Sequence, residues 1–434
     1  MLQKIKTRKK VKEQLAIFKE LKRDSAIIEN NLNIIEDEAF DYKNVNASEG
    51  VHGIHPYPAM MVYPIAKTLI SAYSSEEDNV LDPFVGSGTV LVESLLQDRN
   101  SIGLDLNPLA LLLSKVKTTP LINVDLTKPL ELILASEGNI KELIQPDFFN
   151  LDFWFGQDVI NSLSALLMEI NKIAPPEIRR FFKVAFSETV RLSSKTKNGE
   201  FKLVRMKRHE EYNPNVYDTF EKIILRNIIK IQNTYIIKPN SKVRILDWDS
   251  RMSPPIENKS VDLILTSPPY GDSKTTVAYG QFSRLSLQWL GYKKVNIDKD
   301  SLGGIISQEK MNTSVSKYLN QTIIKIKERD EKRAREVYSF FNDLELCLSN
   351  CIPLLKNKGY ACFVVGNRRV KQVTIPTDII LKEFCENLGL KYKKTISRNI
   401  PNKRMPRVNS PTNAKGVKEL TMNKEHIVIL QKAP

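Results

Sequence analysis

Cysteine is scarce in this chain: the 434 residues hold four, Cys347, Cys351, Cys362 and Cys385. None has the local CxxC or Cys/His spacing of a zinc site, and Cys347 and Cys351 stand at i, i+4 on a helical pattern. A disulfide scaffold is therefore excluded, no metal centre is expected, and the four read as free thiols in a reducing cytoplasm. Histidine is equally sparse, at four residues. His52 and His55 have no cysteine partners nearby and read as structural residues. No apolar run is long enough to cross a bilayer, and the basic N-terminus has no apolar signal core, so neither a membrane partner nor secretion is expected. Apolar residues make up 41% and charged residues 26%, the balance of an ordinary globular protein with one large core or two modest ones. What the chain has in excess is positive charge, a formal +15. A balance of this size suits a polyanion, because each neutralised phosphate releases condensed counterions, although a single charge run is more often a solvated face.

From about residue 78 the pattern alternates strand and helix, which argues an α/β sheet. Short apolar strands are read at 79–81, 101–104, 243–246, 261–265, 360–365 and 425–430, with helices after Gly88, near 335–355 and at 377–388. Residues 1–50 read as a basic, mostly helical arm opened by Lys4, Lys6, Arg8, Lys9, Lys10 and Lys12. The α/β body takes 51–117 and 241–434. A largely helical stretch at 118–240 interrupts it as a second domain, and a second insertion occupies 271–335.

Two segments carry chemistry. In Asp82-Pro83-Phe84-Val85-Gly86-Ser87-Gly88-Thr89, two glycines follow a strand and open a helix. There a backbone without Cβ atoms can approach a ligand beside unpaired N–H groups. The loop lacks the Lys-Ser/Thr ending of a P-loop, which argues against a nucleoside triphosphate. Asp105 ends the next strand about 20 residues later, where a carboxylate can bind ribose hydroxyls. A dinucleotide fold uses the same device and stays open as an alternative. The second segment is Thr266-Ser267-Pro268-Pro269-Tyr270. Its consecutive prolines fix φ and remove backbone donors.

Together the two segments resemble the signature motifs of the S-adenosylmethionine-dependent DNA amino-methyltransferases, the cytosine-N4 and adenine-N6 family. The resemblance covers roughly residues 50–115, 243–272 and 335–432. It implies a Rossmann-like methyltransferase body with a mostly parallel seven-stranded sheet. It also implies that Asp82, Phe84, Gly86, Gly88, Thr89 and Asp105 hold the cofactor. Tyr57, Pro58 and Ala59 are similar to the segment that closes over the cofactor's methionine end. Asp249, in an Asp-Ser-Arg segment, is similar to the acid that meets the adenine amine; Trp248 replaces the usual Gly before it, so Asp247 competes. Ser267 and the Pro268 carbonyl would accept the two amine hydrogens, Pro269 would rigidify the turn, and Tyr270 would stack on an extruded base. Aspartate or asparagine at the first position marks adenine-N6 enzymes and serine cytosine-N4 enzymes, so Ser267 tilts the reading to cytosine. The cofactor loop precedes the Ser-Pro-Pro-Tyr strand, whereas many cytosine-N4 enzymes have the permuted order.

The substrate expected is double-stranded DNA, in a restriction–modification system with a possible companion restriction endonuclease. Candidate DNA contacts in the first insertion are Arg191, Lys195, Lys197, Arg205, Lys207 and Arg208, with Phe201 among them. Arg284 is the candidate in the second, where Tyr279, Phe282 and Trp289 suit stacking. Arg398 to Pro406 reads as a basic loop offering Asn402 and Arg404. Either insertion could instead be a packing module. The alternatives are an adenine-N6 enzyme, an RNA base methyltransferase, for which the first 50 residues are too short to supply the usual RNA-binding domain, and a catalytically inactive nucleic-acid-binding subunit.

Overall fold

A computed structural model of the protein describes residues 33–139, 142–197, 199–271, 276–308, 311, 314–401, 408–409, 419–420 and 422–434. Eight strands form the main sheet: β1 (Ile34–Glu36), β2 (Asn79–Asp82), β3 (Asn100–Asp105), β4 (Val243–Asp247), β5 (Val261–Thr266), β6 (Leu355–Val365), β7 (Leu390–Asn399) and β8 (Lys424–Lys432). Their order is β1-β7-β8-β6-β5-β2-β3-β4. Every pairing is parallel except the two made by β8, which runs antiparallel to both β6 and β7. The helices are α1 (Tyr63–Tyr73), α2 (Thr89–Leu95), α3 (Pro108–Lys117), α4 (Thr127–Leu134), α5 (Leu151–Trp154), α6 (Gln157–Lys172), α7 (Pro176–Ser193), α8 (Val216–Thr234), α9 (Tyr279–Trp289), α10 (Ile297–Asp300), α11 (Lys317–Lys327), α12 (Glu331–Cys351) and α13 (Thr377–Asn387).

The central strands are apolar on both faces because helices cover both. On β5, Leu263 and Leu265 join one layer with Ile65, Leu69 and Ile70 of α1, while Ile264 joins the other with Phe340, Phe341 and Leu344 of α12. This is the period-2 alternation of a strand. The helical stretch α6–α8 shares a third core with α3, through Leu109, Leu112 and Leu113. Trp289 of α9 is sunk in that core, edge-on to Phe148, Phe155 and Phe186.

Two expectations need correction. The described end of the N-terminal arm is not helix; residues 1–32, which hold Lys4, Lys6, Arg8, Lys9, Lys10 and Lys12, lie outside the described residues. Ile34, Ile35 and Glu36 pair with Thr395, Ile396 and Ser397 as an eighth strand, and a 3₁₀ turn follows at Glu38–Asp41. The open backbone of β7 and the β-branched isoleucines win over a local helical pattern. Nor does Arg398 open a basic loop. It is the penultimate residue of β7, with its side chain 2% exposed, cross-strand from Glu425. Asn402 and Arg404 lie outside the described residues.

The chain reverses its direction of travel across the sheet between β2 and β5, and there the ends of the two strands are tied together. Asp82 Oδ1 accepts from Thr266 Oγ1 at 2.6 Å and from the Phe84 N–H at 3.0 Å. Burial dominates this carboxyl's acidity. The two hydrogen bonds oppose the effect and Asp105 adds to it, leaving the group pushed up to about 7 from 3.8. A folded-state value above the unfolded one means that stability is lost as pH rises between them, since ionising Asp82 inside the protein is unfavourable. Asp82→Asn keeps the acceptor oxygen and removes the titration. Thermal melts should nearly coincide at about pH 3, below both values, and the variant should melt higher than the parent at about pH 8. Parallel melting curves across that range would refute the assignment.

Candidate active site

The carboxyl ends of β2, β3, β4 and β5 open into one partly open cavity. A switch point is where an open α/β sheet leaves a crevice for a ligand. Its walls include Tyr57, Pro58, Ala59, Asp82, Phe84, Gly86, Thr89, Asp105, Asp249, Ser267 and Pro269. The cavity therefore brings together eleven of the residues singled out from sequence. Gly88, Pro268 and Tyr270 are not among its wall residues.

The glycine loop is shaped by what its glycines lack. Gly86 has φ +49°, and a Cβ there would sit 3.5 Å from the Tyr57 ring. Gly88 has φ +85° as the N-cap of α2, and a Cβ there would be 2.8 Å from Ser114 Cβ. Asp105 pins the loop: Oδ2 accepts the Gly86 N–H at 2.9 Å and Oδ1 the Asn107 N–H at 2.8 Å. Burial raises the Asp105 pKa, against the pull of those backbone donors. With the Leu106 N–H also directed at it, the carboxylate keeps a lone pair for a ligand.

Ser250 Oγ donates to the Pro83 carbonyl at 2.7 Å, which fastens the segment after β4 to the loop after β2. Asp249 lines the cavity. The competing Asp247 does not; its side chain is 61% exposed and faces Lys294 at 3.9 Å. Burial works to raise the Asp249 pKa, but the hydrogen bonds and charge of Arg251 outweigh it and hold the carboxyl below its ordinary value. Arg251 also reaches Asp343 at 3.2 Å and the Asp300 carbonyl at 2.7 Å. That guanidinium brings α10 and the following turn over the cavity, where Ile297, Ser301 and Leu302 complete the wall.

Sequence reasoning missed three wall-builders. Asn107 caps α3 and donates to Tyr57 Oη at 3.1 Å and Ser283 Oγ at 2.8 Å. The Asn107-Pro108 pair, a helix-start signature directly after a strand, was its available signal. Arg251 and Thr266 stood inside quoted motifs, but nothing local revealed their distant partners. The segment before Tyr57 is held by helices of the first insertion. His55 Nε2 meets Ser187 Oγ of α7 at 3.0 Å, and Arg226 of α8 bridges the Ile54 carbonyl and Glu188. On its other side, His52 pairs with Glu93 of α2 at 2.8 Å.

The expected DNA contacts divide. Arg191 faces inward: it donates to the Phe282 and Glu200 carbonyls, lies 4.4 Å from the Phe282 ring centroid, and is pulled down to about 10 by burial. Arg284 is half-buried with Nε unpaired. Lys195 reaches the Phe155 carbonyl at 3.4 Å, and Arg205 sits 4.0 Å over the Phe153 ring. Lys197, Lys207 and Arg208 are exposed, with Lys197 paired to Glu200. The aromatics expected to stack on bases are spent on packing or on the cavity wall. Phe282 and Trp289 are each 2% exposed, Phe201 packs edge-on to Phe282, and Tyr279 lines the cavity.

A carboxylate with free lone pairs beside a glycine loop, a second acid near an apolar wall, and Phe84 and Trp248 as flat surfaces fit an adenosyl group. Comparison with known proteins agrees. The family described as DNA methylase, joining N6 and N4 enzymes, matches residues 2–115 and 261–434. The Type II methyltransferase M.MvaI of Kocuria varians is 41% identical over 421 residues, 90% of this chain and 93% of that one. The Type II methyltransferase M.MjaII of Methanocaldococcus jannaschii is 34% identical over 107 residues, 24% of this chain and 20% of its own. Among solved structures, TrmN from Thermus thermophilus aligns with 86% of this chain and 49% of its own at 11% identity and a TM-score of 0.30, too weak a likeness to bear on function. On the two matched segments and the full-length relative, the chain belongs to the S-adenosylmethionine-dependent DNA amino-methyltransferases.

Proposed function

We propose that this protein methylates the exocyclic N4 amine of cytosine in specific sequences of double-stranded DNA, as the modification enzyme of a restriction–modification system with a companion endonuclease. The observation that carries the base assignment is Ser267: it stands first in the Ser-Pro-Pro-Tyr segment and lines the same cavity as the Asp82 loop. The likeness to a Type II methyltransferase along nearly its whole length supports the restriction–modification setting.

When bound, the cofactor supplies a methyl group on a sulfonium. The chain's own groups do the rest. Asp105 would bind ribose hydroxyls and Asp249 the adenine amine, with Phe84 and Trp248 against the ring and Tyr57, Pro58 and Ala59 at the methionine end. The lone pair of a base amine is delocalised into its ring, so the nitrogen must be drawn out of plane and held in line with the methyl group. Ser267 Oγ and the Pro268 carbonyl accept its two hydrogens; Pro269 keeps the turn rigid, and the ring of Tyr270 packs on the extruded base. Positioning and electrostatics supply the acceleration.

The loop at 195–208 is the proposed DNA contact of the first insertion. Leu203 N–H donates to Gln281 Oε1 of α9 at 3.2 Å, which sets the loop beside the helix whose Tyr279 lines the cavity. Lys195, Lys197, Arg205, Lys207 and Arg208 would reach phosphates from it. Helices α6–α8 themselves buttress the Tyr57 segment, so target reading falls to their loops rather than to their packed faces.

Nucleoside analysis of DNA methylated by the enzyme should give N4-methylcytosine, and N6-methyladenine as the sole product would overturn the base assignment. Asp105→Ala should weaken cofactor binding roughly 10- to 100-fold by calorimetry, the worth of hydrogen bonds to a charged group. Replacing both Lys207 and Arg208 by alanine should weaken binding to all DNA sequences alike. It should also make the slope of log affinity against log salt shallower by about 2, and an unchanged slope would remove this loop from the phosphate contacts.

A further inference from the structure

A chain of single-proton hydrogen bonds runs from the amine-binding serine to a buried ion pair. Ser267 Oγ donates to Tyr270 Oη at 3.4 Å, and Tyr270 Oη donates to Glu425 Oε1 at 2.9 Å. Glu425 Oε2 accepts Arg398 Nε at 2.9 Å and Nη2 at 2.7 Å. Arg398 Nη1 is in turn committed to the carbonyls of Phe40 and Asp41, at 2.9 and 3.3 Å. The first link is long, as catalytic hydrogen bonds in unliganded sites often are before substrate tightens them.

Its direction is forced. A carboxylate only accepts, and a guanidinium only donates. With the guanidinium locked by two backbone carbonyls, Glu425 has one oxygen left for Tyr270. The phenol's single proton goes there, so its oxygen can only receive. The single proton of Ser267 is thereby directed away from the cavity, and its lone pairs face the space where an amine offers two N–H groups. From this geometry we infer that Glu425, on the last strand, is a positioning residue for methyl transfer: through Tyr270 it makes Ser267 an obligate acceptor. The inference rests on the proposed reading of Ser267 as the amine's partner. It is indifferent to whether the amine belongs to cytosine or adenine.

Glu425→Gln tests it. Arg398 would claim the amide oxygen, the amide NH2 would face Tyr270, and the phenol proton would turn toward Ser267, whose own proton would then oppose the amine. Single-turnover transfer of labelled methyl into DNA should fall about 100-fold, the scale set by losing one preorganised polar contact. Cofactor and DNA dissociation constants should stay unchanged. Tyr270→Phe, which keeps the ring and leaves the ion pair untouched, should also slow transfer. The deciding measurement is the double variant: Glu425→Gln should cost little more once the Tyr270 hydroxyl is gone. A full additional loss in the Tyr270→Phe background, or a loss traced to melting rather than to rate, would overturn the inference and reduce Glu425 to a structural partner of Arg398. Ser267→Ala separates the two levels. If it transfers methyl groups as fast as the parent, the site reading and this inference both fall; if it is slow while the double variant is additive, only this inference falls.

Discussion

The hydrogen bond between Asp82 and Thr266 is the constraint on which the site depends. These residues are 184 positions apart and end neighbouring strands. One begins the glycine loop, and the other begins the Ser-Pro-Pro-Tyr segment. Joining them places the proposed cofactor loop and the proposed amine-binding turn side by side, where the chain's direction of travel across the sheet reverses between β2 and β5. The tie is made by a side chain because both backbones are leaving the sheet and can no longer pair with each other. The same solution recurs around the cavity. Ser250 holds the Pro83 carbonyl, and Asp105 holds two backbone N–H groups. Asn107 holds a tyrosine and a serine. Each loop is short of partners, and each is fixed by a polar group on another loop, as preorganised binding requires.

The insertions share in this rigidity. The first could have been an appended reader standing clear of the catalytic body. Instead its helices α7 and α8 bond to Ile54 and His55, immediately before Tyr57. The second lowers α10 onto the cavity through Arg251, which also orients Asp249. Elements available to DNA are thus packed against elements available to the cofactor. A contact made by the 195–208 loop is one helix away from the cavity wall. Packed layers of this kind shift as units rather than deform continuously.

The sequence was most legible where the physics is local. Strands bounded by Asp82, Asp105 and Thr266 could be read because central parallel strands are short apolar runs. The glycine loop could be read because positive φ demands glycine. What failed to show was decided at a distance. Ile34–Glu36 became a strand because β7 had an unpaired edge some 360 positions away, as Asn33 bonding to Lys393 shows. Strand β7 itself, with three lysines and an arginine among its ten residues, gave no clean apolar run. Arg191 carries the charge of a DNA contact but satisfies two carbonyls inside the protein. Composition alone does not separate such an arginine from the exposed Lys207 and Arg208 beside the same loop. The aromatics misled in the same way: Trp289 suits stacking by chemistry, and burial gave it to the core.

In the proposed role of the Ser-Pro-Pro-Tyr turn as the amine's partner, a serine at its head creates a requirement that an acid there does not. An ionised aspartate has no proton and accepts in every orientation, and an asparagine amide presents its oxygen once packing fixes the flip. A serine hydroxyl carries one rotatable proton, and it serves as an acceptor for an amine only when that proton is directed elsewhere. The neighbouring tyrosine can take it only if its own proton is claimed by something that never donates. A carboxylate meets this condition, and an arginine with no other freedom holds that carboxylate still. Those demands fall on residues 155 positions apart, Tyr270 and Glu425, and on a last strand that otherwise only closes the sheet. On the proposed reading, a one-residue choice in the turn is therefore supported by a buried ion pair between β7 and β8, where no local motif would place it.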